Sequence, residues 1–273
     1  MTTPTETTPT KTNPVVFIHG LWIHSAAWAP WIELFESRGY SASAPGWPGD
    51  GLTVAATREN PDALNDMGIP QMVDHYAKLI GTPEVKPVVV GHSFGGLIAQ
   101  ELLANGVVAA AVAIDPAAIK GVKALPFAQL KSAFPVLGNP TNLHRTVSLT
   151  PKQFHYAFGN ALTEEESDEL HDRCTIPGPG LPLFEDAAAN FSKHSPAKVD
   201  THLVDRGPLL LTSGSEDHTV PLKVTTQVYK LYADGPAVTE FHEFDGRGHS
   251  LTIDNGWRDV AEVTLNWLAE KGF

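Results

Sequence analysis

Four short, nearly continuous apolar runs constrain the fold more than anything else in the chain: PVVFIHG (14–20), KPVVVGH (86–92), AAAVAID (109–115) and PLLLTSG (208–214). Runs without polar alternation and rich in β-branched residues suit strands covered on both faces of a parallel sheet. YSASAPG (40–46) and VTEFHEF (238–244) are weaker strand candidates. Helical patterns lie between them: SAAWAPWIELFESRG from Ser25, IPQMVDHYAKLIG from Ile69, FGGLIAQELLANG from Phe94 and GWRDVAEVTLNWLAEKG from Gly256. Ser25 reads as an N-cap, and Gly39, Gly81 and Gly106 close the first three patterns as C-caps do. Strand–helix alternation with right-handed crossovers predicts a three-layer α/β fold with a mostly parallel sheet.

One block breaks this rhythm. From about Lys120 to Arg206 no buried strand is legible, only short helical patterns separated by Pro and Gly, such as 149–160, 162–174 and 184–195. The reading is a core of residues 14–119 and 207–273, with 120–206 inserted as a helical cap or lid. Residues 1–13 hold seven threonines and two prolines and almost nothing to bury, which predicts a mobile tail. That tail lacks the apolar segment of a secretory signal, and no run of 18 apolar residues occurs, so a cytoplasmic chain off the membrane is expected. A single cysteine, Cys174, excludes an internal disulfide framework and four-cysteine zinc sites.

Chemistry enters with Val90-Gly91-His92-Ser93-Phe94-Gly95-Gly96, directly after an apolar strand and opening a helix. This G-x-S-x-G arrangement places a nucleophile on a tight turn between strand and helix. Gly91 and Gly95 lack Cβ atoms, so the turn can pack closely while Ser93 points outward. The free N–H groups of the helix that follows face the same place.

A serine hydroxyl needs a base, and the base needs an orienting group. His249, in FDGRGHSLTIDN, follows the last predicted strand and so falls on the same sheet edge as Ser93. His92 points elsewhere from the turn, and His218 is the weaker rival. Asp217, just past PLLLTSG, is placed to accept the imidazole Nδ1–H; Asp115 competes from the end of AAAVAID, and Glu216 is a third option. The order Ser93, Asp217, His249 matches one of the known triad orders.

With these motifs the chain resembles the α/β-hydrolase superfamily from about Val15 to Leu268, through His19-Gly20, GHSFGG around Ser93, SGSEDHTVP around Asp217 and GRGHS around His249. The resemblance implies an oxyanion hole of two backbone N–H groups, from Phe94 and from Leu21, with Trp22 as the alternative to Leu21. Such donors stabilise the tetrahedral intermediate by about 10²–10³ in rate each. Compact plant-type esterases and hydroxynitrile lyases are similar in layout, but those lyases carry a lysine after the histidine where this chain has Ser250. Dehalogenases and epoxide hydrolases of the fold use an aspartate in place of Ser93. Carbon–carbon hydrolase, lactonase, amidase and cofactor-free haloperoxidase activities share the serine triad, and a non-catalytic binding protein is the rival from another class.

The expectation is a serine hydrolase of carboxylic esters. Trp22 and Trp47 lie on loops at the catalytic edge and are candidates to line the substrate pocket, whereas Trp28, Trp31, Leu34 and Phe35 follow helical spacing and belong to the core. Phe127, Phe134, Phe154, Phe158 and Phe184 read as packing of the insertion, some facing Ser93. With no HExxH and no phosphate loop, neither metal nor dissociable cofactor is implied. Nineteen Lys and Arg against 31 Asp and Glu give a net charge of -12, which argues against nucleic acid and anionic lipid as partners. Six of the acids fall between Glu164 and Asp172, a solvated helix face that would favour neutral, partly apolar esters over anionic ones if it framed the pocket. A homo-oligomer is left open.

Overall fold

The computed structural model describes residues 13–273, so the expected mobile tail lies outside the described residues except for Asn13. In its first half the chain forms β1 (Val15–Ile18), α1 (Ala29–Ser37), β2 (Ala42–Ser43), α2 (Val54–Glu59), α3 (Ile69–Ile80), β3 (Val88–His92), α4 (Phe94–Ala104) and β4 (Ala110–Ile114). A helical block follows: α5 (Phe127–Leu137), β5 (Thr146–Val147), α6 (Pro151–Ala157), α7 (Glu164–Cys174), β6 (Gly178–Pro179) and α8 (Leu181–Ala187). The chain then re-enters the core with β7 (Leu209–Gly214), α9 (Leu222–Ala233), β8 (Thr239–Phe244) and α10 (Trp257–Glu270).

The four apolar runs become β1, β3, β4 and β7, each buried along its whole length. They lie in a six-stranded sheet of order β2-β1-β3-β4-β7-β8 whose pairings are all parallel. Strand side chains alternate between two apolar layers. Val16, Val89 and Ala111 pack with Tyr76 of α3, Leu97 of α4 and Val228 of α9. Val15, Phe17, Val88 and Val90 pack with Trp31 and Phe35 of α1 and Leu265 of α10. Phe17 stacks on Trp28 at 4.9 Å, and the Trp31 indole donates to Thr252 O at 2.8 Å, which ties α1 to the segment before α10.

The structure departs from the sequence reading in particular places. The side chain that caps the first helical turn belongs to His24, whose Nδ1 accepts from Ala26 N–H, while Ser25 is already inside the turn. The run 40–46 yields only the two-residue β2 at the sheet edge. The block 120–206 contains a small antiparallel ladder, β5 with β6, too short to show a pattern in sequence. Phe127 and Phe134 do not pack inside that block: they are exposed, on the face of α5 opposite its buried Ser132 and Val136. The block is fastened to loops beyond the carboxyl ends of three core strands. Trp22 Nε1 donates to Val147 O, Thr219 Oγ1 to Ala157 O and Ser250 N–H to Phe158 O. Among the described residues no helix is long and apolar enough to cross a membrane.

Tight contact between β1, β3 and α4 sets the position of Ser93. A Cβ on Gly95 would lie 2.2 Å from Ile18 O and 2.6 Å from His19 O, both backbone atoms that cannot step aside. Gly95→Ala should therefore lower the unfolding free energy by about 3 kcal/mol, at the upper end for overpacking; urea titration measures this, and a change within about 0.5 kcal/mol would show that the contact can relax. A second expectation concerns Glu101 of α4, whose Oε1 is buried without a hydrogen-bond partner. Burial, then the nearby Glu185 charge, pushes its carboxyl from 4.5 up to about 8. The folded chain thus holds a proton that the unfolded chain has released, so stability falls as pH rises from 4.5 to about 8. Glu101→Gln removes this slope, and its stability relative to wild type should climb steadily over that window; a constant difference would contradict the assignment.

Candidate active site

Ser93 leaves β3 with φ 56° and ψ -121°, a conformation that costs a non-glycine residue about 1–3 kcal/mol. Backbone hydrogen bonds hold it there. Its N–H donates to Ile114 O at 2.9 Å, and its carbonyl accepts from Gly96, Leu97 and Ala117 N–H. Of the four non-glycine residues with positive φ among those described, Trp22, Ser93 and Asp115 all lie at this edge of the sheet. Phe94 is the first residue of α4, so its amide has no acceptor within the helix.

The parallel register brings the strand ends level: His92 lies opposite Ile114, and Ile114 opposite Thr212. Asp115 therefore follows β4 beside Ser93, while Asp217 stands three residues beyond β7. Asp217 Oδ1 accepts from Thr219 and Val220 N–H at 2.6 and 2.8 Å, which fixes the carboxylate in a turn of its own. Its Oδ2 lies 2.6 Å from His249 Nδ1. A carboxylate can only accept at that distance, so Nδ1 carries the proton and Nε2 keeps a lone pair. That Nε2 is buried and has no hydrogen-bond partner. The imidazole is held between the His92 ring, 4.5 Å away, and the edge-on Phe158 ring at 4.7 Å.

The rivals are placed differently. Asp115 is also fully buried, but its Oδ1 accepts from Gly214 N–H and its Oδ2 is 4.0 Å from His249 Nδ1. Burial, reinforced by the Asp217 charge, raises its carboxyl well above the usual carboxylate range. Burial, then the neighbouring His249, lowers His92 well below an ordinary histidine, which keeps it neutral. The Glu216 side chain is exposed. His218 turns its Nδ1 to Tyr156 O at 2.9 Å. His92, Asp115 and His249 offer ligand atoms within 4.8 Å of one another, the group among the described residues that distance alone would allow around a metal ion. A carboxyl whose burial disfavours its charged form and an imidazole whose Nδ1 is bound to Asp217 make a poor donor set.

The loop after β1 meets the serine directly. A Cβ on Gly20 would lie 2.6 Å from Ser93 Cβ, so only glycine lets Leu21 and Trp22 approach Ser93. His19 Nε2 lies 2.9 Å from Asp50 Oδ2, which also accepts from Trp47 N–H, and the Trp47 ring stacks on His19 at 4.7 Å. Trp47 thus braces the loop from behind and is not among the residues lining the cavity at Ser93. Trp22 is among them.

That cavity measures about 80 Å³ and runs from Leu21, Ser93 and Phe94 towards α5 and α8. Its walls are mostly apolar, with Leu125, Leu130, Leu137 and Leu183 from the helical block and Val220 from the core. The acids of α7 do not line it. Glu166 instead binds the backbone and side chain of Asn255, and the first-turn acids of α7 complement its helix dipole. Sequence reading missed three contributors: Asp50 behind the loop, and Gln129 and Asp186 in the cavity wall. No motif or spacing marks any of the three in the sequence.

Comparison with known proteins follows from this geometry. A search of curated proteins by sequence found no match. Solved structures do match: a monoacylglycerol lipase from Paleococcus ferrophilus (21% identity, 95% of this chain and 96% of that one, TM-score 0.65) and a polyneuridine aldehyde esterase (21% identity, 94% and 99%, TM-score 0.65). A Mycobacterium tuberculosis protein provisionally assigned as a non-heme bromoperoxidase also matches, at 20% identity over 96% of this chain and 94% of that one, with TM-score 0.69. At such identities the likeness is one of fold. The sequence model of the alpha/beta hydrolase family spans residues 15–263, from the first core strand into the last helix, and the chain belongs to that family.

Proposed function

We propose that this protein is a serine hydrolase that cleaves carboxylic esters, with Ser93 as nucleophile, His249 as general base and Asp217 as its orienting acid. The observation that carries the reading is the 2.6 Å contact between Asp217 and His249 Nδ1 with Nε2 left unpartnered beside the strained Ser93 elbow. In this reading Nε2 takes the Ser93 proton as Oγ attacks the ester carbonyl. The Phe94 and Leu21 amides receive the developing oxyanion. His249 then protonates the leaving alcohol, and water activated by the same nitrogen releases the acid. No hydrogen bond joins Ser93 to His249 here; such bonds commonly tighten only when substrate is bound.

The helical block 120–206 acts as a cap in this account, placing apolar side chains over the nucleophile and excluding water. The wall of Leu and Val side chains supports neutral, partly apolar esters, with Trp22 lining the pocket and Trp47 supporting it at one remove. A lyase reading has less support: Ser250 stands where those enzymes carry lysine, and its hydroxyl donates to Asp254 at 2.9 Å.

Replacing Ser93 by Ala should remove essentially all turnover of a p-nitrophenyl ester in a colorimetric assay, and full activity would refute the role given to Ser93. Asp217→Asn should lower kcat by about 10⁴ by favouring the wrong histidine tautomer. Asp115→Asn should cost far less, because Asp115 Oδ2 lies 4.0 Å from His249 Nδ1 and makes no hydrogen bond to it; the reverse order would make Asp115 the orienting acid.

A further inference from the structure

The cavity beside Ser93 holds two hydrogen-bond acceptors that the fold leaves unused. Asp186, on α8, is the one ionisable side chain among the sixteen residues that line it. Its carboxylate forms no hydrogen bond or ion pair with the protein. Gln129, on α5, lines the same cavity, and its Oε1 is buried with no partner. The donors around them are spent on the protein itself. Trp22 Nε1 donates to Val147 O, Ser132 Oγ to His218 O and Thr219 Oγ1 to Ala157 O. A mostly apolar chamber in which these two acceptors are unpaired, while the Trp22, Ser132 and Thr219 side-chain donors are already engaged, is complementary to a ligand that brings a donor.

We infer that the substrate's distal end carries a protonated amine, received by Asp186 with Gln129 Oε1 as second acceptor, so that the favoured substrates are small amino esters. This rests on Ser93 being an ester-cleaving nucleophile. The cavity is about 80 Å³, which suits a short arm rather than a long acyl chain. Burial pushes the Asp186 carboxyl from 3.8 up to about 7, the mark of a charge that lacks a partner, and a cation seated against it would relieve that cost. The same carboxylate repels anionic substrates, a discrimination the sequence pointed towards through the acids of α7, which lie elsewhere.

The test compares 2-(dimethylamino)ethyl acetate, mostly protonated near neutral pH, with its carbon isostere 3-methylbutyl acetate. Wild type should favour the amine by about tenfold or more in kcat/KM, as expected for a hydrogen bond to a charged group. Asp186→Asn should bring that ratio close to one, and Gln129→Leu should lower it by a few-fold. The ratio is internal to each enzyme, so a general loss of activity cancels, and wild type alone tests the preference if a variant does not fold. Equal use of the two acetates by wild type, or a preference that survives Asp186→Asn, would overturn the assignment. Should neither acetate be cleaved, the ester reading fails and the site is judged by binding. Calorimetry should then show 2-(dimethylamino)ethanol binding more tightly than 3-methylbutanol, and equal binding would overturn the site as well.

Discussion

The left-handed backbone at Ser93 is the constraint around which the rest of the site is arranged. A residue with a side chain takes φ 56° there only because β3, β4 and α4 hold it by hydrogen bonds on both sides of its peptide unit. The neighbouring glycines let α4 press against the backbone of β1, and that contact brings the Leu21–Trp22 loop to the serine. Strand register then sets where Asp115 and Asp217 stand, and the loop after β8 brings His249 over both.

Burial divides the labour among the titratable side chains at this edge. Asp217 accepts three hydrogen bonds, two from backbone amides and one from His249, so its charge is satisfied without solvent. Asp115 accepts one backbone hydrogen bond, and burial disfavours the charged form of both Asp115 and His92, which works against a second buried charge next to the first. The environment thus distinguishes two adjacent aspartates, and only Asp217 lies within hydrogen-bond distance of the histidine. Composition alone could not make that choice.

Much of the core was legible because its signal is local. An uninterrupted apolar run followed by a turn signal marks a buried parallel strand and its carboxyl end, and Ser93 and Asp217 each follow such an end, whereas His249 follows the mixed, half-buried strand β8. The block 120–206 was legible only as a run of short helices. Whether Phe134 packs or is exposed depends on which face of α5 meets the core, and its pattern of apolar residues does not decide that. Trp47 illustrates the same limit: an aromatic residue in a loop at the right edge could line the pocket or brace it, and a stack on His19 decides for bracing. Asp186 was invisible for the opposite reason, since a lone acid in a short helix reads as solvated until the fold turns it into a cavity.

The central claim is that this geometry activates one serine out of all those in the chain. Exposure to a fluorophosphonate probe, followed by peptide mass spectrometry, examines it without assuming any substrate. A single covalent adduct on the peptide carrying Ser93, absent after denaturation, is the result the account predicts. An unlabelled protein, or an adduct on a different serine, would contradict it.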